Sequence, residues 1–300
     1  MKYLLGIDLG GTNIKVVLTT DSGQIVDEKS TPTEDQGGHD HGQTWKQKIK
    51  SLVNNYISKT AGHIEVVGMA APGLADPDNR AIAFMPNKLL GLEDFIWDEY
   101  LGISTYILND AHAALFAESR IGAGKGYKNI VLLTLGTGIG GGIMIEGRLL
   151  QGKSNRAGHL GHISVNRSLD LSVVGLPGSL ENAIGECSVK ERTYGRFQST
   201  RHLVEAHEAG ETFASWVWLD SVQQLARGIA SLINALSPEI IILGGGIMQA
   251  GDILTRPLSD FLDLYEWRPG GQKTKIVPAE LREHSGAVGA ALFANEKIGS

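Results

Sequence analysis

Residues 3–23 read YLLGIDLGGTNIKVVLTTDSG, and residues 130–152 read IVLLTLGTGIGGGIMIEGRLLQG. In the first stretch, the β-rich run Tyr3 to Ile7 meets a Gly10–Gly11 turn, and a second run, Ile14 to Thr20, ends at Asp21-Ser22-Gly23. QIVDEKS (24–30) offers a third strand, so the stretch predicts a three-stranded antiparallel meander. In the second stretch a strand again meets a glycine turn, a further strand ends at Glu146-Gly147, and a short third strand follows. Two copies of one supersecondary unit point to a duplicated α/β fold with two domains.

The segments around these copies fit that reading. EVVGMAAPG (65–73) reads as a strand entering a turn. STYILNDAHAALFAESRIG (104–122) reads as a strand, then an alanine-rich helix, with Asp110 at the junction. ETFASWVWLDSVQQLARGIASLINAL (211–236) has apolar residues at helical spacing and stops before Pro238. It feeds EIIILGGGI (239–247), a buried strand into a third glycine turn, and SGAVGAALFANEKI (285–298) predicts a last helix.

A chain of 300 residues is long enough for two cores. A net charge of −6 with no basic run argues against a surface built for nucleic acid. Cys187 is the only cysteine, so no intramolecular disulfide forms. The N-terminus lacks a signal-peptide core, and the longest apolar stretch is glycine-rich and too short to span a bilayer. The expectation is a cytoplasmic protein that engages no membrane.

Two glycine patterns are decoys. Gly136, Gly138 and Gly141 fit G-x-G-x-x-G, but a dinucleotide site needs a helix after the glycines, and IMIEGRLLQG reads as strands. IGAGKG (121–126) lacks the spacing of a phosphate-binding P-loop. The stronger reading is two glycine hairpins facing one nucleotide. Glycine lets backbone N–H groups approach phosphate, and Thr12 and Thr137 add hydroxyls at matching places.

Asp8-Leu9-Gly10-Gly11-Thr12, Ala71-Pro72-Gly73, Pro86-Asn87, Asn109-Asp110-Ala111, Leu135-Gly136-Thr137-Gly138-Ile139-Gly140 and Leu243-Gly244-Gly245-Gly246 occur in that order. This series resembles the ROK family of sugar kinases and sugar-responsive repressors, within the actin-like ATPase (ribonuclease H-like) superfamily. The resemblance implies two domains with a central cleft, divided as 1–108 and 109–285, with the helix 286–300 packing back on the first. It implies a glucokinase-like enzyme that phosphorylates a hexose or hexose derivative, at the 6-position, using ATP and magnesium. A homodimer is implied as well.

By the same resemblance, Asp110 is the general base. A carboxylate ionised at neutral pH can accept the proton of an attacking alcohol; the plainer reading is that Asp110 caps the helix that follows. Asp8 is implied to hold magnesium through water. Gly10, Gly11, Thr12, Gly136, Thr137, Gly138, Gly244, Gly245 and Gly246 are implied to bind the nucleotide. Gly73, Asn87, Asn109 and Asp110 are implied to contact the sugar.

AGHLGHISV (157–165) departs from the family pattern. His162 matches the family histidine, while His159 stands where glutamate is expected. The cysteine motif that carries structural zinc in many members is here Ser172-Val173-Val174-Gly175-Leu176-Pro177-Gly178-Ser179-Leu180-Glu181. Valine cannot ligate a metal and neutral serine is a poor substitute for thiolate, so no structural zinc is expected. The resemblance implies that His162 and Glu181 line the sugar pocket, with His159 in the same wall; the alternatives are a purely structural His162, or a new metal site made of His159, His162 and a carboxylate.

His39 and His41 form either a small metal clip or a solvated loop, and TYGRFQST (193–200) has no assignment. Three rivals stay open: an inactive sugar sensor, an actin-like phosphotransferase for a non-sugar substrate, and a transcriptional regulator. The last expects a helix-turn-helix ahead of the first glycine motif, for which this sequence leaves no room.

Overall fold

The computed structural model describes residues 2–35, 40–86 and 88–299. The chain forms two compact units, one of Met1–Gly126 with Leu149–Ala157 and Glu280–Ser300, the other of Tyr127–Arg148 with Gly158–Ala279. The first unit thus runs on to Gly126, beyond the 108/109 division expected from the sequence. Among the described residues no helix is long and apolar enough to cross a membrane.

The first unit is built on the predicted meander: β1 (Tyr3–Leu9), β2 (Asn13–Thr20) and β3 (Ile25–Pro32), with Asp8 opposite Lys15 in the β1–β2 register. After α1 (Gln43–Lys59), β4 (Ile64–Ala71) pairs parallel with β1. A small ladder, β5 (Leu74–Ala75) with β6 (Ile82–Phe84), and a short α2 (Trp97–Leu101) precede β7 (Thr105–Asn109). β7 pairs parallel with β4 and leads into α3 (Asp110–Ile121), completing the order β3-β2-β1-β4-β7.

Small residues explain how the C-terminal helix Ser285–Ile298 seats on this sheet. A Cβ on Gly6 would overlap the Ala287 backbone, one on Gly68 that of Ala290, and one on Gly289 that of Ala113 in α3. The SGAVGAALFA pattern therefore serves close backbone approach as well as helix formation.

Glu118 ties this unit to itself. It is fully buried, and its carboxylate accepts from the Ala123 N–H at 2.8 Å and from the Glu280 and Leu281 N–H groups at 2.9 and 2.8 Å. It thus holds the segments where the chain leaves the unit and returns to it. Removing it strands three backbone donors, each worth about 1–3 kcal/mol. Glu118→Ala is expected to destabilise the protein by about 3 kcal/mol or more in thermal unfolding, with Glu118→Gln intermediate.

The second unit repeats the plan. β8 (Ile130–Leu135) and β9 (Ile139–Ile145) are antiparallel, and β10 (Arg148–Leu149) adds the edge. Four helices follow: α4 (Leu180–Ile184), α5 (Val189–Arg192), α6 (Thr200–Glu208) and the long α7 (Thr212–Leu236). β11 (Ile240–Gly244), α8 (Asp252–Tyr265) and β12 (Lys275–Pro278) complete the order β10-β9-β8-β11-β12, with β11 parallel to both neighbours. In each sheet the first strand has two meander strands on one side and two parallel strands on the other. Gly140, Gly141 and Gly142 lie inside β9, which removes the helix a dinucleotide site needs. Trp218 of α7 anchors the core, fully buried, with its indole N–H on the Ile253 carbonyl at 3.0 Å.

Candidate active site

In the first unit the polar residues gather at the C-terminal ends of β1, β4 and β7. Asn109, not Asp110, is the N-cap of α3: its side-chain oxygen accepts from the Ala111 and His112 N–H groups at 3.0 and 3.3 Å. This corrects the capping alternative, because Asp110 is the first helical residue. The Asn109 amide also donates to the Gly73 carbonyl at 2.9 Å, so its oxygen and one N–H serve the scaffold. Gly73 has φ 101° and a Cβ there would meet the Phe84 carbonyl oxygen at 2.6 Å, which accounts for glycine in APG.

Asp110 is exposed, its Oδ1 accepting from the Ala111 N–H at 2.8 Å. The dense protein around it limits hydration, and this desolvation pushes its carboxyl pKa upward against the hydrogen bonds from Ala111 and Asn109. Asp8, at the end of β1, is pushed up to about 7, first by burial and then by the charge of Asp110, with Lys15 pulling the other way. A cation beside Asp8 would relieve both burdens. Among the described residues no group of three His, Cys, Asp or Glu side chains could hold a metal. One or two carboxylates completed by water and phosphate oxygens suit magnesium, which keeps much of its hydration shell.

Gly10, Gly11 and Thr12 form the first turn, closed by Gly10 N–H on the Asn13 carbonyl at 2.9 Å and braced by the Thr33 hydroxyl on the Gly10 carbonyl at 2.6 Å. Gly11 and Thr12 are exposed. Asn87 and His39 lie outside the described residues; the His41 carbonyl accepts from Lys46 at 3.2 Å.

In the second unit, Gly136 N–H closes on the Gly138 carbonyl at 3.0 Å, leaving Thr137 exposed at the tip. The segment Gly185–Cys187 braces this turn, Glu186 N–H donating to Gly136 and Cys187 N–H to Thr137, at 3.0 and 2.9 Å. Gly245 has φ 90° and packs on the Leu135 backbone, which sets the Gly244–Gly246 turn beside the Gly136–Gly138 turn. Gly136, Thr137, Gly246 and α6 line an open cavity of about 490 Å³. The α6 wall of that cavity has no counterpart in the sequence reading, because nothing local in the sequence links it to the glycine turns.

Glu181, on α4, is 7% exposed. One carboxylate oxygen accepts from the Ile139 N–H at 3.1 Å, and the other is buried with no protein partner. A Cβ on Gly138 would collide with it, so glycine there makes room for Glu181. His159 precedes and His162 ends the short helical turn Leu160–His162, which rests on β9; their rings are parallel with centroids 6.3 Å apart. His162 Nδ1 is buried with no protein partner. Ser172 accepts from the Leu176 N–H at 3.2 Å and Ser179 caps α4 on the Asn182 N–H at 3.1 Å. Both hydroxyls hold local backbone, Val174 has no donor atom, and the set does not fit zinc.

The repeated sheet, with a glycine turn after its first strand in each unit, defines a protein of the actin-like ATPase class. Within that class the chain belongs to the ROK family, whose model matches residues 4–297. It is 31% identical to a glucokinase of Thermotoga maritima, over 99% of this chain and 98% of the other. The crystal structure of a ROK hexokinase from Thermus thermophilus matches with a TM-score of 0.88 at 28% identity, covering 99% of each chain. That of a ROK family glucokinase from Streptomyces griseus, in complex with glucose and AMPPNP, matches at 0.79 and 25% identity, covering 98% of this chain and 99% of the other.

Proposed function

We propose that the chain is an ATP-dependent carbohydrate kinase that phosphorylates the 6-hydroxyl of a hexose or hexose derivative, with Asp110 as general base. The observation that carries this reading is Asp110 itself, an accessible carboxylate on a backbone fixed by Asn109 and Gly73. Likeness to a glucokinase, and to a structure holding glucose with an ATP analogue, supports the two substrates.

The sugar oxygen attacks the γ-phosphorus, its proton passes to Asp110, and the bond to the bridging oxygen breaks to release ADP. Backbone N–H groups of the Gly10–Thr12, Gly136–Gly138 and Gly244–Gly246 turns hold phosphate oxygens. Asp8 is the residue that would hold magnesium, which when bound would supply charge neutralisation at the phosphates. Glu181 carries a buried carboxylate oxygen and His162 a buried ring nitrogen without a protein partner, and both suit sugar hydroxyls. His159, Asn87 and the remaining Asn109 N–H complete the sugar contacts. His159 offers an imidazole in place of a carboxylate, which changes the hydroxyl pattern the wall satisfies. A cytoplasmic homodimer completes the reading.

The test is ADP release with magnesium across hexoses, N-acetylhexosamines and ketoses, using chelator-treated protein so that zinc is absent. Release above background for a defined sugar class is expected. Sugar binding without release across the whole panel would favour the inactive sensor instead.

A further inference from the structure

Arg192 is the last residue of α5, and its side chain lines a cavity of about 180 Å³ formed by the 166–178 loop, α4, α5 and α7. One end of the guanidinium is held weakly: Nη1 donates to the Gly185 carbonyl and to the Ser188 hydroxyl, each at 3.4 Å. Nε and Nη2 are both buried with no protein partner. Burial pushes the pKa of the group down to about 10, while Cys187, Glu186 and Asp220 favour its charged form. The cation therefore persists at neutral pH, and a buried cation with unpaired donors is costly. The Nε–H and Nη2–H bonds of an arginine point the same way, side by side, and match the two oxygens of a carboxylate. No carboxylate of the protein fills that fork.

A plain anion does not match the rest of the lining. Asp170, Glu191 and Asp220 face the same cavity, three carboxylates against one guanidinium. Asp170 accepts from the Ser168 hydroxyl at 2.7 Å and Asp220 from the Gln224 amide at 3.3 Å, so both acids are set in place by neighbours. A ligand with a carboxylate at one end and an ammonium at the other would meet a partner for each. The volume limits it to a small molecule, and Val217 with the exposed Trp216 offers an apolar face for a short side chain. This cavity shares no lining residue with the one beside the Gly136–Thr137 turn.

We infer that the Arg192 cavity is a second ligand site, for a small zwitterion of the α-amino acid class, with its carboxylate on the Arg192 fork and its ammonium toward Asp220.

Calorimetric titration of the full chain with glycine, L-alanine, L-serine, L-threonine and L-valine tests this, with acetate and methylammonium as the two half-ligands. The proteins compared are the wild type, Arg192→Lys and Asp220→Asn. At least one amino acid is expected to bind the wild type with a Kd of about 1 mM or tighter, and each half-ligand at least ~10-fold more weakly. Arg192→Lys keeps the charge but loses the fork, and should weaken the best amino acid at least ~10-fold. Asp220→Asn should weaken it about 3- to 10-fold. The inference falls if no amino acid of the set binds, if acetate binds as tightly as the best of them, or if either variant binds like the wild type. Should Arg192→Lys fail to fold, Asp220→Asn and the wild-type titrations decide.

Discussion

Asp110→Asn is expected to lower kcat about 10³-fold, within the range general-base catalysis supplies, while sugar binding survives. Asparagine is nearly isosteric, and its oxygen can still accept from the Ala111 N–H as Asp110 does at 2.8 Å. The cap of α3 is untouched because it belongs to Asn109. What is lost is the ability to take a proton. Steady-state kinetics with calorimetric sugar binding separates the two effects, and near-normal kcat in the variant would remove Asp110 from the role. The raised pKa of Asp110 adds a pH signature: wild-type kcat falls as the medium becomes acidic enough to protonate it, and Asp110→Asn loses that limb.

Asp8→Asn is expected to act in opposite directions on activity and stability. Asp8 binds its proton more tightly in the folded chain, at about 7 against 3.8. A raised carboxyl pKa contributes stability that is full below the unfolded value and is lost as pH rises through the folded one. In metal-free protein the loss therefore falls between about pH 4 and pH 8, and reaches about 4 kcal/mol at most. Asparagine removes the charge, so its metal-free Tm at pH 8.5 should exceed wild type by about 5 °C. The same change withdraws a carboxylate acting on magnesium through water, and kcat/KM for magnesium-ATP should drop roughly 10- to 100-fold. Differential scanning calorimetry across pH, paired with kinetics, reads both. A variant no more stable than wild type at high pH would contradict the burial of that charge.

The glycine hairpins were legible because the signal is local: a β-rich run, a Gly-Gly or Gly-Thr-Gly turn, and a second run. Their repetition carried the duplicated topology, and the two sheets show it strand for strand. Asn-Asp at the end of β7 was harder. Both residues cap helices about equally well, and only the backbone angles decide that Asn109 turns its side chain onto the helix. Glu118 gave no sequence signal at all, since its partners Glu280 and Leu281 arrive from the far end of the chain. Arg192 is similar: an arginine ending a short helix reads as ordinary until the fold buries its fork without a partner.

The most direct test of the account is ³¹P NMR of the reaction with ATP, magnesium and the sugar that releases most ADP. The account predicts a primary phosphate-ester resonance growing in step with ADP, one phosphosugar per ATP consumed. ADP accompanied only by inorganic phosphate, or no turnover of ATP with any bound sugar, would contradict it.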